Sequence, residues 1–266
     1  MTGTTTHALI PCGGKGTRML ALTGGLPKEL VTVAGIPVVE WVVKECAASG
    51  ITDVMVVIAP GKEAIQDRLA PLAGTPGMPN RISFAVQREA RGLADAIRFG
   101  RAFAHDGPIA VALPDNLFLG DVPALRQVLN VAEATGKSAV AMVGIAAEEA
   151  SKRGATAIYS GSLVGDEYRI SMIPDKGAKS STFDTRGASV AYTGVGRYAF
   201  GGALWKAIDE VEAALKTGAE LDDVPVMQLL LGRGLLTGCL IRGRFLDVGL
   251  PAGYREAEEV LGGRTR

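Results

Sequence analysis

The run Leu9-Ile10-Pro11-Cys12-Gly13-Gly14-Lys15-Gly16-Thr17-Arg18 carries an apolar strand straight into a glycine-rich loop, and Pro27-Lys28-Glu29-Leu30 follows closely. No other stretch constrains the chain as tightly. Glycines without a Cβ let successive backbone N–H groups close around an anion. Arg18 and Lys28 add the formal charge that backbone dipoles lack. The order differs from two commoner phosphate loops. Lys15 lies between Gly14 and Gly16 rather than after the last glycine of a Gly-x-x-x-x-Gly-Lys-Ser/Thr loop. No third glycine follows Gly14-Lys15-Gly16 at the spacing of a dinucleotide fingerprint. The plain alternative is a glycine turn after an edge strand.

Downstream, the pattern alternates between strand and helix periods. It predicts strands over His7–Pro11, Asp53–Ile58, Ile82–Gln87 and Ile109–Leu113, and helices over Pro37–Ser49, Lys62–Leu69 and Leu93–Phe103. Such alternation implies an α/β fold, a mostly parallel central sheet with helices on both faces. Ligands of these sheets bind beyond the carboxyl ends of the strands. The glycine loop, the stretch from Gln87 to Gly92, and Asp115 all fall at those ends and are expected to converge.

The second half is less regular. Helices are expected near Val122–Ala134, Gly202–Leu215, Val224–Leu231 and Pro251–Leu261. Strands are expected over Ser138–Ile145, Ala155–Ser160, Tyr168–Ile173, Ser189–Tyr198 and Leu236–Ile241, and a mobile loop over Pro174–Gly187. With no linker or repeat in view, the 266 residues read as one domain with a nucleotide-binding lobe at about 1–116 and an acceptor-binding lobe at about 117–266.

Charge and composition remove several function classes. Lys+Arg and Asp+Glu each number 28, so a nonspecific grip on nucleic acid is not expected. No apolar run approaches the roughly 18 residues a membrane span needs. Cys12, Cys46 and Cys239 form no metal spacing, and the polar N-terminus is unlike a signal peptide; both predict a reducing, cytoplasmic setting. His7 and His105 are the only histidines and are expected at the periphery, so histidine-based catalysis has little support.

Asp115 ends a buried strand and Asp247 follows a short one. Brought together beside a phosphate loop, they would hold a hard cation such as magnesium, which takes one or two carboxylates plus phosphate oxygens. Separately, Asp115 could cap a helix and Asp247 could form a turn. Gln87 with Gly92 is a candidate base-reading pair, because an amide both donates and accepts; ordinary strand-end polarity and a helix-start glycine are the alternative.

Gly14-Lys15-Gly16-Thr17-Arg18-Met19, Pro27-Lys28-Glu29-Leu30, Gln87, Arg91-Gly92-Leu93-Ala94-Asp95-Ala96, Leu113-Pro114-Asp115-Asn116, Gly196-Arg197-Tyr198 and Phe245-Leu246-Asp247-Val248-Gly249 occur in this order. Together they resemble the sugar-1-phosphate nucleotidylyltransferases, nearest the bacterial UTP–glucose-1-phosphate uridylyltransferase branch, from about residue 7 to 260. The resemblance implies a Rossmann-like nucleotidyltransferase fold with a smaller mixed sugar-binding lobe. It implies magnesium-assisted transfer from a nucleoside triphosphate, UTP favoured, to a sugar 1-phosphate, with release of pyrophosphate. It further implies that Gly13, Gly14, Gly16 and Thr17 hold the nucleotide, that Arg18 stabilises departing pyrophosphate, and that Lys28 binds phosphate at the reacting centre. Gln87 and Gly92 would contact the base, Asp115 and Asp247 the metal, and Gly154 the sugar. A homodimer or homotetramer is expected on the same ground.

One segment departs from the family. Where the family has Glu-Lys-Pro, this chain has Asp175-Lys176-Gly177. Lys176 keeps the phosphate-binding role, but Asp175 offers its carboxylate one methylene short for sugar hydroxyls. The expected acceptor is therefore a modified sugar or a cyclitol phosphate. The rival readings are the same fold using dTTP, ATP, GTP or CTP, and an inactive nucleotide-sugar sensor.

Overall fold

The computed structural model describes residues 4–14, 23–146, 158–165, 167–175 and 189–263. In chain order the elements are β1 (His7–Cys12), β2 (Thr32–Val33), β3 (Ile36–Pro37), α1 (Val38–Ala48), β4 (Asp53–Ile58), α2 (Glu63–Leu69) and β5 (Arg81–Val86). Next come α3 (Leu93–Arg98), α4 (Gly100–Phe103), β6 (Ile109–Ala112), β7 (Asn116–Leu119), α5 (Ala124–Thr135), β8 (Ser138–Ala146) and β9 (Ile158–Val164). The last are β10 (Glu167–Met172), β11 (Val190–Phe200), α6 (Ala203–Ala214), α7 (Asp223–Gly232), β12 (Leu236–Leu240), β13 (Arg244–Asp247) and α8 (Pro251–Gly262).

Nine strands form one sheet in the order β5-β4-β1-β6-β11-β8-β12-β10-β9. The first four run parallel, as the alternation predicts. β11 joins antiparallel to β6 and to β8, β12 returns parallel to β8, and β10 and β9 close the far side antiparallel. Period-2 alternation sorts side chains to the two faces. Ala8, Ile10 and Cys12 of β1 enter one core with the apolar face of α1 (Val38, Val39, Val42, Val43, Cys46). Leu9 enters the other, with Ile97 of α3 and Trp205 and Ile208 of α6. Each core is sealed by helices, which makes three layers.

Two departures from the sequence pattern matter to the site. The predicted helix over Leu93–Phe103 is broken at Phe99 into α3 and α4. The chain after Pro114-Asp115 does not start a helix; it enters the short strand β7. β7 pairs antiparallel with β13, Asn116 opposite Asp247. That ladder carries Asp247 across more than a hundred positions of sequence to lie beside Asp115.

A candidate nucleotide and metal site at the strand ends

The carboxyl ends of β1, β5 and β6 open onto a cavity of about 290 Å³. Gly13, Gly14, Lys28, Gln87, Gly92 and Asp115 all line it, with Leu93, Ala96 and Leu113 forming an apolar wall. Those six are residues singled out from the sequence, and the sheet brings them together. Gly16, Thr17, Arg18, Gly154, Lys176 and most of the expected loop over 174–187 lie outside the described residues. A larger depression of about 740 Å³, bordered by Val122, Gln127, Val131 and Leu240, contains none of the candidate site residues.

Lys28 opens a single helical turn after Pro27, and its Nζ donates to Asp115 Oδ2 at 2.5 Å. Burial opposes the ammonium, but the Asp115 carboxylate and then Glu29 outweigh it and hold the Lys28 pKa above its ordinary value. Asp247 comes close to Asp115 at Gly249. A Cβ at Gly249 would stand 2.9 Å from Asp115 Oδ2 and 3.2 Å from Asp247 Oδ1, so the two carboxylates face one small space that glycine leaves open. Asp247 Oδ1 also accepts from the Gly249 N–H at 3.1 Å, so the turn and the convergence coexist. Among the described residues no third acid, histidine or cysteine completes a metal cluster. Two hard oxygen donors suit a cation that keeps waters and takes its remaining ligands from phosphate.

Gln87 is almost fully buried. Its Nε2 donates to Asp95 Oδ2 at 2.7 Å and reaches Gly92 O at 3.3 Å. Gly92 has φ +110°, and a Cβ there would collide with the Leu221 carbonyl, so packing accounts for this glycine. Asp175 is not among the described residues that line the cavity; its Oδ1 accepts from Gln228 Nε2 on α7 at 2.9 Å.

A nucleotidyl transferase family profile matches residues 7–262. The chain belongs to the nucleotidyl transferase family. A putative UTP–glucose-1-phosphate uridylyltransferase of Bacillus subtilis is 31% identical over 265 residues, 93% of each chain. A UTP–glucose-1-phosphate uridylyltransferase of Haemophilus ducreyi is 26% identical over 275 residues, 94% of this chain and 90% of that one. Among solved structures, a UDP-glucose pyrophosphorylase complexed with UDP-glucose superposes with a TM-score of 0.81, at 24% identity over 98% of this chain and 100% of that one. A UTP-bound enzyme from Acinetobacter baumannii superposes with a TM-score of 0.77, at 20% identity over 98% of this chain and 97% of that one. The structural likenesses establish the nucleotidyl transferase fold.

Several residues of this nucleotidyl transferase's site escaped the sequence reading. Lys62, just before α2, gives its ammonium to both Glu29 oxygens at 2.9 and 3.0 Å, and to Cys12 O at 2.8 Å and Gly14 O at 2.7 Å. It thereby ties the glycine loop to the Pro-Lys-Glu turn. Glu29 in that motif was the available signal: a carboxylate beside a buried hydrophobic turn must find a cation, but sequence spacing does not name Lys62 as that cation. Cys12, under the loop, is kept a neutral thiol: burial first and then the Glu29 charge push its pKa well up.

Proposed function

We propose that this nucleotidyl transferase moves the uridylyl group of UTP to a sugar 1-phosphate and releases pyrophosphate. The observation that carries the reading is the convergence of Lys28, Asp115 and Asp247 beside Gly13 and Gly14 at the strand ends. The uridylyltransferase relatives support the choice of UTP and of glucose 1-phosphate chemistry. An oxygen of the sugar phosphate forms a bond to the α-phosphorus, the bond from that phosphorus to the bridging oxygen breaks, and pyrophosphate leaves with the electron pair. The nucleophile is already an anion, so no general base is required. The protein must align two anions and offset their repulsion. Lys28 supplies a fixed charge at the reacting phosphates, the Gly13–Gly14 loop a close backbone approach, and Arg18 and Lys176 the charges on pyrophosphate and acceptor.

Asp115 and Asp247 would hold magnesium, which when bound supplies positive charge against the phosphate oxygens. Their oxygen donors and the space at Gly249 fit it. The reading is tested by pyrophosphate release from UTP, glucose 1-phosphate and magnesium. Release that falls away in Asp115→Ala is expected, and silence with every triphosphate and sugar phosphate would refute it.

A second reading of the acceptor rests on the Asp175–Gln228 contact. The shortened carboxylate is engaged by α7, which favours a modified sugar or cyclitol phosphate over glucose 1-phosphate. A panel of acceptor phosphates with UTP decides it, and a strong preference for glucose 1-phosphate would sink it.

A further inference from the structure

Asp95 stands in the first turn of α3 and is 3% exposed. Its two oxygens have different partners. Oδ2 accepts from Gln87 Nε2 at 2.7 Å, and Oδ1 accepts from Arg98 Nη2 at 2.7 Å. Arg98 is held in turn by Glu212, which accepts from Nη1 at 2.6 and 2.7 Å. Gly92 O is a second acceptor 3.3 Å from the same Gln87 nitrogen. A primary amide has a donor end and an acceptor end. An ion-paired carboxylate and a carbonyl both lack a proton to give, so they fix which end they receive. The nitrogen of Gln87 is drawn to them, and Oε1 turns toward Gly13, where a Cβ would come within 2.6 Å of it. Oε1 has no hydrogen-bond partner among the described residues. Gly13, Gln87 and Gly92 all line the nucleotide cavity.

We infer that Asp95 is a positioning residue that locks the Gln87 amide with its acceptor end available to the base, so that the site selects an imide-bearing pyrimidine, uracil or thymine, over cytosine. The inference rests on the proposed use of this cavity for a nucleoside triphosphate. Uracil and thymine carry an N3–H donor at the centre of their pairing edge; cytosine carries an acceptor there, which would oppose Oε1. A site built to hydrogen-bond one polarity rejects the other strongly, because the mismatch leaves buried polar groups unpaired.

Asp95→Asn makes a sharp test. Arg98 still demands an acceptor, so the new amide gives it the oxygen and turns its nitrogen to Gln87. Gln87 must then turn over and present Nε2 to the base. Equilibrium binding of UTP and of CTP is measured on both proteins without acceptor, alongside pyrophosphate release and thermal unfolding. The wild type is expected to prefer UTP. In the variant the UTP-to-CTP ratio should fall by about tenfold or more, chiefly in Kd and KM rather than kcat. Asp95→Leu removes the shorter of the two contacts that hold Nε2, leaving only Gly92 O at 3.3 Å, and should lower the ratio in the same direction. An unchanged ratio in whichever variant folds, or a wild type that binds CTP as well as UTP, overturns the role of Asp95. If no triphosphate yields pyrophosphate, the proposed reaction fails, while the binding ratio still decides the role of Asp95.

Discussion

Two ion pairs grip the same short stretch of chain, Leu113 to Asn116, and they are built differently. Beneath it, Arg197 on β11 is wholly buried, and all five of its N–H donors are satisfied. It pairs with both oxygens of Glu45 at 3.0 and 2.7 Å. It also donates to Leu113 O at 3.0 Å, Gly196 O at 2.9 Å and Asn116 O at 2.6 Å, while lying over the Phe118 ring. Above it, Lys28 meets the Asp115 side chain at the wall of the cavity, with both side chains partly open to solvent. The lower pair clamps backbone and fixes where Asp115 stands. The upper pair is a local arrangement of charge, which under the proposed function a phosphate and a cation would reorganise. Burial with complete hydrogen bonding marks scaffold, and partial burial at a cavity marks chemistry.

The largest effect should come from the scaffold. Arg197→Ala takes the cation from Glu45, which keeps the Leu125 N–H, and takes a donor from each of three carbonyls; it is expected to lower the unfolding free energy by about 3–5 kcal/mol, read by urea denaturation. A loss confined to activity would break the contrast. Lys28→Ala should do the reverse. About 3 kcal/mol of transition-state stabilisation is lost, a hundredfold or more in kcat, while stability changes by about 1 kcal/mol or less, since the pair is partly exposed. Gly249→Ala sharpens the comparison. A Cβ pressed against both carboxylates should raise the magnesium concentration needed for half-maximal rate, with stability within about 1 kcal/mol. The smallest effect is on pH. The pKa of Lys28 is raised in the folded state, so its contribution is fully present below the ordinary value of 10.5 and is lost as pH climbs through the raised one. Alkaline denaturation of the wild type should show a small loss there that Lys28→Ala lacks.

Much of the fold was legible because its signals are local. β1 and β4 read as buried runs, and α1 shows its apolar face at helical spacing. β7 did not show: four residues after Pro114-Asp115 become a strand only because β13 lies opposite. The break at Phe99 was equally hidden within a continuous helical pattern. The site divides the same way. Gly13, Lys28, Gln87, Asp115 and Asp247 could be picked out as residue types at strand ends or in motifs. Lys62, Asp95 and the pairing of Arg197 with Glu45 could not, since each is defined by a partner that only the folded chain supplies. Arg197 and Asp95 stood inside recognised motifs without any visible task.

The most direct test is the rate of pyrophosphate release from UTP and glucose 1-phosphate, compared between the wild type and Asp115→Asn at matched folded content. The charge assignment predicts release by the wild type and a rate lower by about a hundredfold or more in the variant, with the unfolding transition nearly unmoved. Equal rates in the two proteins would contradict it.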